Sequence, residues 1–551
     1  MSKNRSSRFI PLIVALSAVI GILLGSFYAN HFSGNRLSII NTSSNKLNDL
    51  LHIIDDQYVD KVSMDDLVEK ALPQILKELD PHSTYVCAKD VENDMQGLKG
   101  SFSGIGIQFN IYKDTICISN VIKDGPSEEV GLAAGDRIVV INGKPFVGKK
   151  VTSELAMATL KGEKGSSIKL GIKRVGSKNI LNYTIIRGDI PVKSIESVYM
   201  VDKTTGYIRI KSFGDTTYPE MLIALAKLNH EGFKNLIIDL RENYGGYMAP
   251  AIQMANEFLP KDRLILYTKG RKSPREEYRS DGRGTYQKIP LIVLVNQTSA
   301  SASEIFAGAI QDNDRGTIVG LRTFGKGLVQ EPIQFRDGSM LRLTIARYYT
   351  PSGRCLQKPY INGDDKTYNM DLLTRAEQGE YYSPDSIRHH GERFKTSIGR
   401  IVYGGGGIIP DYFVPSDSSN ITSYYQEAVY KGFISIYAFT YVDENREALK
   451  KMGTWQEIEK QLKKANIPEK FASFADKNGL KRRNLMLKKS HKLFEEQLIA
   501  NIIYNFIDID ANIQYINTFD PFIIKAKNIF KEQKAFPQKS MEPKSKKKNE
   551  R

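Results

Sequence analysis

Three largely apolar runs limit the fold of this chain more than any other feature: "NLIIDL" at 235–240, "LIVLV" at 291–295 and "GTIVG" at 316–320. A strand that is apolar at nearly every position is buried on both faces, and helices packed on both sides of a largely parallel sheet provide that burial. Helix-like stretches alternate with these runs. "YPEMLIALAKLNH" precedes the first, "APAIQMANEFL" the second and "SEIFAGAIQD" the third, while "TGYIRI" adds a strand ahead of them all. The reading is a set of βαβ units from about residue 189 to 415.

The flanking segments differ in texture. Residues 36–95 carry apolar positions at helical spacing, such as Leu47, Leu50, Leu51 and Ile54, and pass through "LDPHSTY", a turn signal. Residues 96–188 are short β runs separated by glycine, with "TSELAMATL" as a helix among them. Residues 360–400 are polar, lack periodicity and read as an exposed insertion. From 416 to 535 the pattern is helical, and 536–551 is a basic tail read as disordered.

The beginning of the chain is of another kind. Residues 1–8 hold Lys3, Arg5 and Arg8, and 9–29 are apolar, with no charge before Arg36. About 20 such residues make a helix of roughly 30 Å, enough to cross a bilayer. The basic flank then stays in the cytoplasm and the remainder lies outside, in the periplasm. A cleaved signal peptide is the competing reading, but Phe27-Tyr28-Ala29 places a bulky side chain where cleavage wants a small one. The expectation is a single-pass anchor in the cytoplasmic membrane. That location turns the formal charge of +16, concentrated in "KRRNLMLKK" and "PKSKKKNER", away from nucleic acid and toward solvent or anionic lipid. Cys87, Cys117 and Cys355 are odd in number and scattered, with no metal or disulfide spacing.

"VNQTSASASEIFAGAI", 295–310, sets serines on alternate positions where an apolar strand passes into a helix. A serine at a helix start has backbone N–H groups and a positive dipole end beside it, which favour a developing oxyanion. Ser301 to Glu304 also fits a capping box, in which Ser301 only caps the helix. No histidine lies between residues 231 and 388, so a Ser-His-Asp arrangement has no local base. "TFGKGLVQ", 323–330, offers another: Lys326 stands between two glycines, with Gln330 four residues on to orient an amine. A lysine acts as base only where burial or a neighbouring cation lowers its pKa. Gly245-Gly246 ends "LIIDLRENYGG" and could equally present an N–H to an oxyanion or make an ordinary tight turn.

Taken together, "LDPHSTY", "LIIDLRENYGG", "TSASASEIFAGAIQD", "TFGKGLVQ", "LRLTIARYYTPSGR" and "GGGGIIPDY" closely resemble the carboxyl-terminal processing proteases, the PDZ-containing Ser-Lys peptidases of family S41. The resemblance covers about residues 45–415. It implies a multidomain α+β fold: an α/β crotonase-like (ClpP-like) serine protease core, an inserted β-rich PDZ domain, and helical N- and C-terminal regions. It assigns Ser301 as nucleophile, Lys326 as general base and Gln330 as the residue that positions the lysine. Ser299 and Ser303 become structural, Asp312 a supporting residue, and the backbone of Ala302 with Gly245 or Gly246 an oxyanion hole. Asn243-Tyr244 stands where the family usually has Asn-Pro before the glycine pair. Gly104-Ile105-Gly106-Ile107 resembles the carboxylate-binding loop of a PDZ domain, which implies substrates with exposed, apolar C-termini. The family needs no metal or cofactor, and a homodimer or an adaptor protein is an expected partner. The alternative is a catalytically inactive, membrane-anchored PDZ adaptor that only binds protein C-termini.

Overall fold

The structure is a computed structural model that describes residue 19 and residues 36–112, 114–388 and 391–539. Apart from Val19, the apolar segment 9–29 lies outside the described residues. Among the described residues no helix is long and apolar enough to cross a membrane. Residues 1–76 form a unit of their own, holding helix Arg36–Gln57 and most of helix Met64–Lys77. The region expected at 36–95 therefore divides after Leu76, and residues from 77 on belong with the remainder.

The three apolar runs are neighbours in one sheet, whose strand order is Ile195–Met200, Thr205–Ile210, Asn235–Asp239, Leu291–Val295, Thr317–Gly320 and Tyr412–Phe413. The first pair is antiparallel and the others are parallel. Alternate residues feed two separate cores. Leu236, Ile238, Leu291, Val293 and Val295 pack with helices Thr217–His230, Met248–Asn256 and Ala302–Asp312. Ile237, Ile292, Leu294 and Val319 face the other way, onto Ile513, Ile523, Ala526 and Ile529 of helices Ile509–Asn517 and Pro521–Lys531. The end of the helical C-terminal region is thus the third layer of the protease core. It is fastened there by Arg241 to Asp520 at 2.6 Å and by the Thr317 hydroxyl to the Ala535 carbonyl at 2.8 Å.

A second, antiparallel sheet leans over the end of the first. It runs Thr84–Val86, Met340–Tyr349, Leu264–Lys269 and Glu276–Arg279, with Leu328–Gln334 also paired to the long Met340–Tyr349 strand. The PDZ-like module is inserted between helix Ala88–Lys99 and strand Ile195–Met200. Its root is the strand pair Ser101–Gly104 and Gly188–Pro191, and its core gathers Ile105, Ile116, Ile138, Ala156, Leu160 and Ile172. Helices between Ser423 and Phe506 have a core of their own and touch this module through Arg137–Asp443 and Asn110–Asn505.

Residues 360–400 are not simply exposed. They contain helix Asp365–Glu377, whose Tyr368 and Arg375 are buried. Ion pairs rather than apolar periodicity bury it: Glu380 pairs with Arg375 at 2.7 Å and with Arg322 at 2.6 Å.

A fully buried aliphatic side chain contributes about 1.5–3 kcal/mol. A chain ending at Phe506 would uncover Ile237, Ile292, Leu294 and Val319 together. Such a truncation is expected to leave an aggregating product, scored by soluble yield and gel filtration against the full chain.

Candidate active site

Strand Leu291–Val295 turns into helix Ala302–Asp312 through a turn pinned to its neighbours. The Ser299 hydroxyl donates to the Leu240 carbonyl at 2.7 Å, the Ser303 hydroxyl to the Asn243 carbonyl at 3.0 Å, and the Ala300 N–H to that same carbonyl at 3.0 Å. Ser299 and Ser303 are fully buried and structural. Ser301 differs: its backbone sits at φ 54, ψ −114. An N-capping serine is extended. Positive φ on a non-glycine residue is strained backbone that the surrounding contacts must hold in place, and such strain clusters at functional turns.

Part of what holds it is glycine. A Cβ on Gly245 would lie 2.7 Å from Ser301 Cβ and 2.8 Å from the Ala300 carbonyl. On Gly246 it would lie 2.1 Å from the Phe213 carbonyl. The pair lets the loop press against the serine turn. The Gly245 N–H is already committed, donating to Asn243 Oδ1 at 2.8 Å, and Asn243 Nδ2 donates to the Ile210 carbonyl. Gly246 lines the cavity in front of Ser301.

That cavity, of about 230 Å³, also contains Lys326, Gln330 and Arg342. Its apolar wall includes Met95 and Leu98 of helix Ala88–Lys99, Met248 and Ile305. The Lys326 amine donates to Gln330 Oε1 at 2.9 Å, and Gln330 Nε2 donates to the His82 carbonyl. The amine's hydrogen bond therefore runs to Gln330 and not to Ser301. Catalytic hydrogen bonds commonly close only with substrate in place. Burial, with Arg342 next, lowers the lysine pKa to about 8 against the opposing charges of Asp80 and Glu304.

One buried carboxylate joins the two catalytic candidates. Glu304 accepts from the Ser301 N–H at 3.0 Å, the Lys326 N–H at 2.8 Å, the Gly325 N–H at 2.8 Å and the Thr323 hydroxyl at 2.5 Å. These donors occupy the acceptor positions a carboxylate has and favour its charge. Burial works the other way and raises its pKa to about 7. Tyr348, fully buried, adds a second tie: its hydroxyl bonds the Lys326 carbonyl and lies 3.2 Å from that of Ser301. Asp312, at the far end of the serine helix, pairs with Arg354 at 2.7 Å with both side chains fully buried, which anchors the loop after strand Met340–Tyr349.

Sequence reasoning brought out Ser301, Lys326, Gln330 and the glycine pair; the structure gathers Ser301, Lys326, Gln330 and Gly246 around one cavity and places Gly245 behind Ser301, off its wall. Glu304 was legible only as a capping partner, and "LDPHSTY" only as a turn. The turn's histidine lies near the site, yet its imidazole bonds the Tyr368 hydroxyl at 2.8 Å, and burial followed by the Lys326 charge lowers its pKa to about 4. What His82 offers the site is its carbonyl. In the PDZ-like module, Gly106 has φ 77, and the carbonyls of Ile105 and Gly106 are held by the N–H groups of Ser127 and Ile122. This fixes the turn that joins Gly104 to strand Ile107–Tyr112.

The sequence pattern of peptidase family S41 matches residues 204–367, that of the PDZ domain 103–185, and that of a family of unknown function 424–508. The chain is 35% identical over 353 residues to the carboxy-terminal processing protease CtpA of Bacillus subtilis, covering 63% of this chain and 75% of that one. It is 37% identical over 325 residues to the carboxy-terminal-processing protease of Bartonella bacilliformis, covering 58% and 74%. Among solved structures, the photosystem II D1 C-terminal processing protease aligns with a TM-score of 0.32 and 27% identity, over 57% of this chain and 91% of that one.

Glu304→Gln tests the central tie. Either orientation of the amide turns an NH2 toward a backbone N–H that has lost its acceptor, at a cost of about 1–3 kcal/mol. A lower urea midpoint than wild type is the expected result.

Proposed function

The chain belongs to peptidase family S41 as a carboxy-terminal processing serine protease with a PDZ domain, and from that premise we propose that Ser301 is its nucleophile and Lys326 its general base. The observation that carries the assignment is a buried amine, aimed by Gln330, in the same cavity as a serine on a strained turn. Neutral Lys326 takes the Ser301 hydroxyl proton as Oγ attacks the scissile carbonyl. The resulting ammonium then protonates the departing amine, leaving an acyl-enzyme. Water, deprotonated by the same lysine, releases the acyl group. Two donors face the oxyanion: the Ala302 N–H at the helix start, with the helix dipole behind it, and the Gly246 N–H. Gly246 is preferred over Gly245, whose N–H is spent on Asn243.

Substrate enters by its C-terminus. The loop Gly104-Ile105-Gly106-Ile107 takes the terminal carboxylate on backbone N–H groups, the chain adds along strand Ile107–Tyr112, and the apolar surroundings of Ile105 favour apolar terminal residues. Residues 9–29 hold the enzyme in the cytoplasmic membrane with its catalytic part in the periplasm, on the support of the apolar run and its basic flank. Fractionation of cells together with the mass of the mature N-terminus tests this. A new N-terminus near Asn30 would count against the anchor.

The chemistry is tested with the full chain on an unfolded protein ending in apolar residues. Ser301→Ala and Lys326→Ala should each abolish cleavage while leaving C-terminus binding intact. The ammonium cannot accept a proton, so activity should rise with pH through about 8 and level off above it. At pH 8 a lysine of unshifted pKa would be under about 1% neutral. Wild type that binds the C-terminus and never cleaves it would favour the adaptor reading.

A further inference from the structure

Gln330, which aims the lysine, is itself held by a closed circuit of hydrogen bonds that leaves the Lys326 loop and returns to it. The Gly327 N–H donates to Gln357 Oε1 at 2.9 Å. That turns Gln357 Nε2 toward the Tyr368 hydroxyl, 3.3 Å away, and Tyr368 meets His82 Nε2 at 2.8 Å. His82 closes the circuit by accepting Gln330 Nε2 on its carbonyl, and Gln330 Oε1 accepts from Lys326.

A backbone N–H can only donate, so the Gln357 oxygen faces Gly327 and its nitrogen faces Tyr368, donating also to the Lys358 carbonyl at 2.9 Å. The phenol oxygen accepts from Gln357 and shares one hydrogen bond with His82 Nε2, whose direction follows the ring tautomer. Burial keeps the imidazole neutral. The groups facing it are consistent: Lys326 and Lys358 oppose a charge on the ring, and Asp80 alone favours one. Asp80 holds the turn from below, accepting the His82 N–H at 2.9 Å and the Ser83 hydroxyl at 2.6 Å.

Tyr368 comes from helix Asp365–Glu377, in the 360–400 stretch outside both sheets of the protease core. Its ring stands edge-on to His82 and to Phe324, with the Lys358 amine 4.1 Å from its centre. The same helix reaches the Lys326 loop a second time, where Arg375 donates to the carbonyls of Thr323 and Arg322.

We propose that Tyr368 and His82 are positioning residues of the peptidase reaction, holding the Gln330 amide so that its oxygen aims the Lys326 amine at Ser301. The 360–400 stretch is thereby part of the frame of the active site. The inference rests on the reading of Lys326 as general base and Gln330 as its positioner.

The test uses the full chain with Tyr368→Phe, which keeps the ring and removes the hydroxyl. His82→Phe is the second variant: it keeps a ring and the backbone carbonyl and removes the Nε2 that meets Tyr368. Met370→Ala, exposed on the same helix, is the control. Cleavage of an unfolded protein with an apolar C-terminus is followed from pH 6 to 10, with kcat and KM separated and Tm measured alongside. In both circuit variants kcat should fall by about tenfold to a hundredfold, as for a misplaced catalytic group, with KM and Tm close to wild type. The alkaline midpoint should move down, because the amine loses a steadily aimed carbonyl that favours its charged form; burial, Arg342, Asp80 and Glu304 otherwise set that midpoint, and His82 is neutral there.

Wild-type kcat in both variants would overturn the proposal. So would a loss of activity that merely tracks a lower Tm while the midpoint stays fixed. Lys326→Ala, run in parallel, separates the two levels of inference. If that variant still cleaves, the base assignment falls and the positioning role falls with it. If it is dead while Tyr368→Phe is unaffected, only the positioning role is lost.

Discussion

The catalytic arrangement depends on the buried carboxylate of Glu304. Its Oε2 takes the backbone N–H groups of both Ser301 and Lys326, and its Oε1 takes the Gly325 N–H and the Thr323 hydroxyl. A charge with no solvent around it is tolerated only when every acceptor position is filled, and leaving one empty is costly. The requirement works as a ruler. The serine turn and the lysine loop cannot drift apart without stranding the carboxylate, and Tyr348 repeats the constraint from a second direction through the two carbonyls. The same negative charge opposes the burial that lowers the Lys326 pKa, so the value near 8 is a compromise set by the group that positions the lysine.

Around that centre the supports form a hierarchy. Asn243 holds Gly245 by its side chain and Ala300 and Ser303 by its carbonyl, so one buried amide residue registers the glycine loop against the serine turn. Asp312 and Arg354, out of water at the far end of the helix, fix the return of strand Met340–Tyr349, which carries Tyr348 and Arg342 back to the cavity. The inserted PDZ domain is fastened at its root by a short strand pair and on its flank by Arg137–Asp443. Helix Ala88–Lys99, which leads into it, also supplies Met95 and Leu98 to the cavity wall.

Much of this was legible in the sequence where the signal is local. Runs such as "LIVLV" demand burial on both faces, and the alternation of strands and helices from 205 to 320 follows from that. Local texture drew attention to "VNQTSASASEIFAGAI" and "TFGKGLVQ", and the family resemblance singled out Ser301, Lys326 and Gln330 within them. What escaped is non-local or polar. His82 and Gln330 are 248 residues apart, and nothing in "LDPHSTY" says that its carbonyl matters more than its ring. Glu304 reads as a helix cap because the same spacing serves both purposes. Strand Leu328–Gln334 sets Gln330, Glu331 and Pro332 in succession at its middle, so period-two alternation is faint. Helix Asp365–Glu377 is buried by Arg375, Glu380 and Arg322, residue types that ordinarily mark a surface.

The layered core also bears on when this protease comes into existence. One face of the central sheet is covered by residues 509–531, near the end of the chain, while Ser301 and Lys326 belong to its middle. A ribosome delivers Ser301 and Lys326 roughly 200 residues before that cover, at rates of about 5–20 residues per second. During that interval the strands that aim Ser301 have an apolar face and nothing to pack it against. The order of synthesis therefore places Ser301 and Lys326 ahead of the cover that the sheet beside them needs before it can hold them in place.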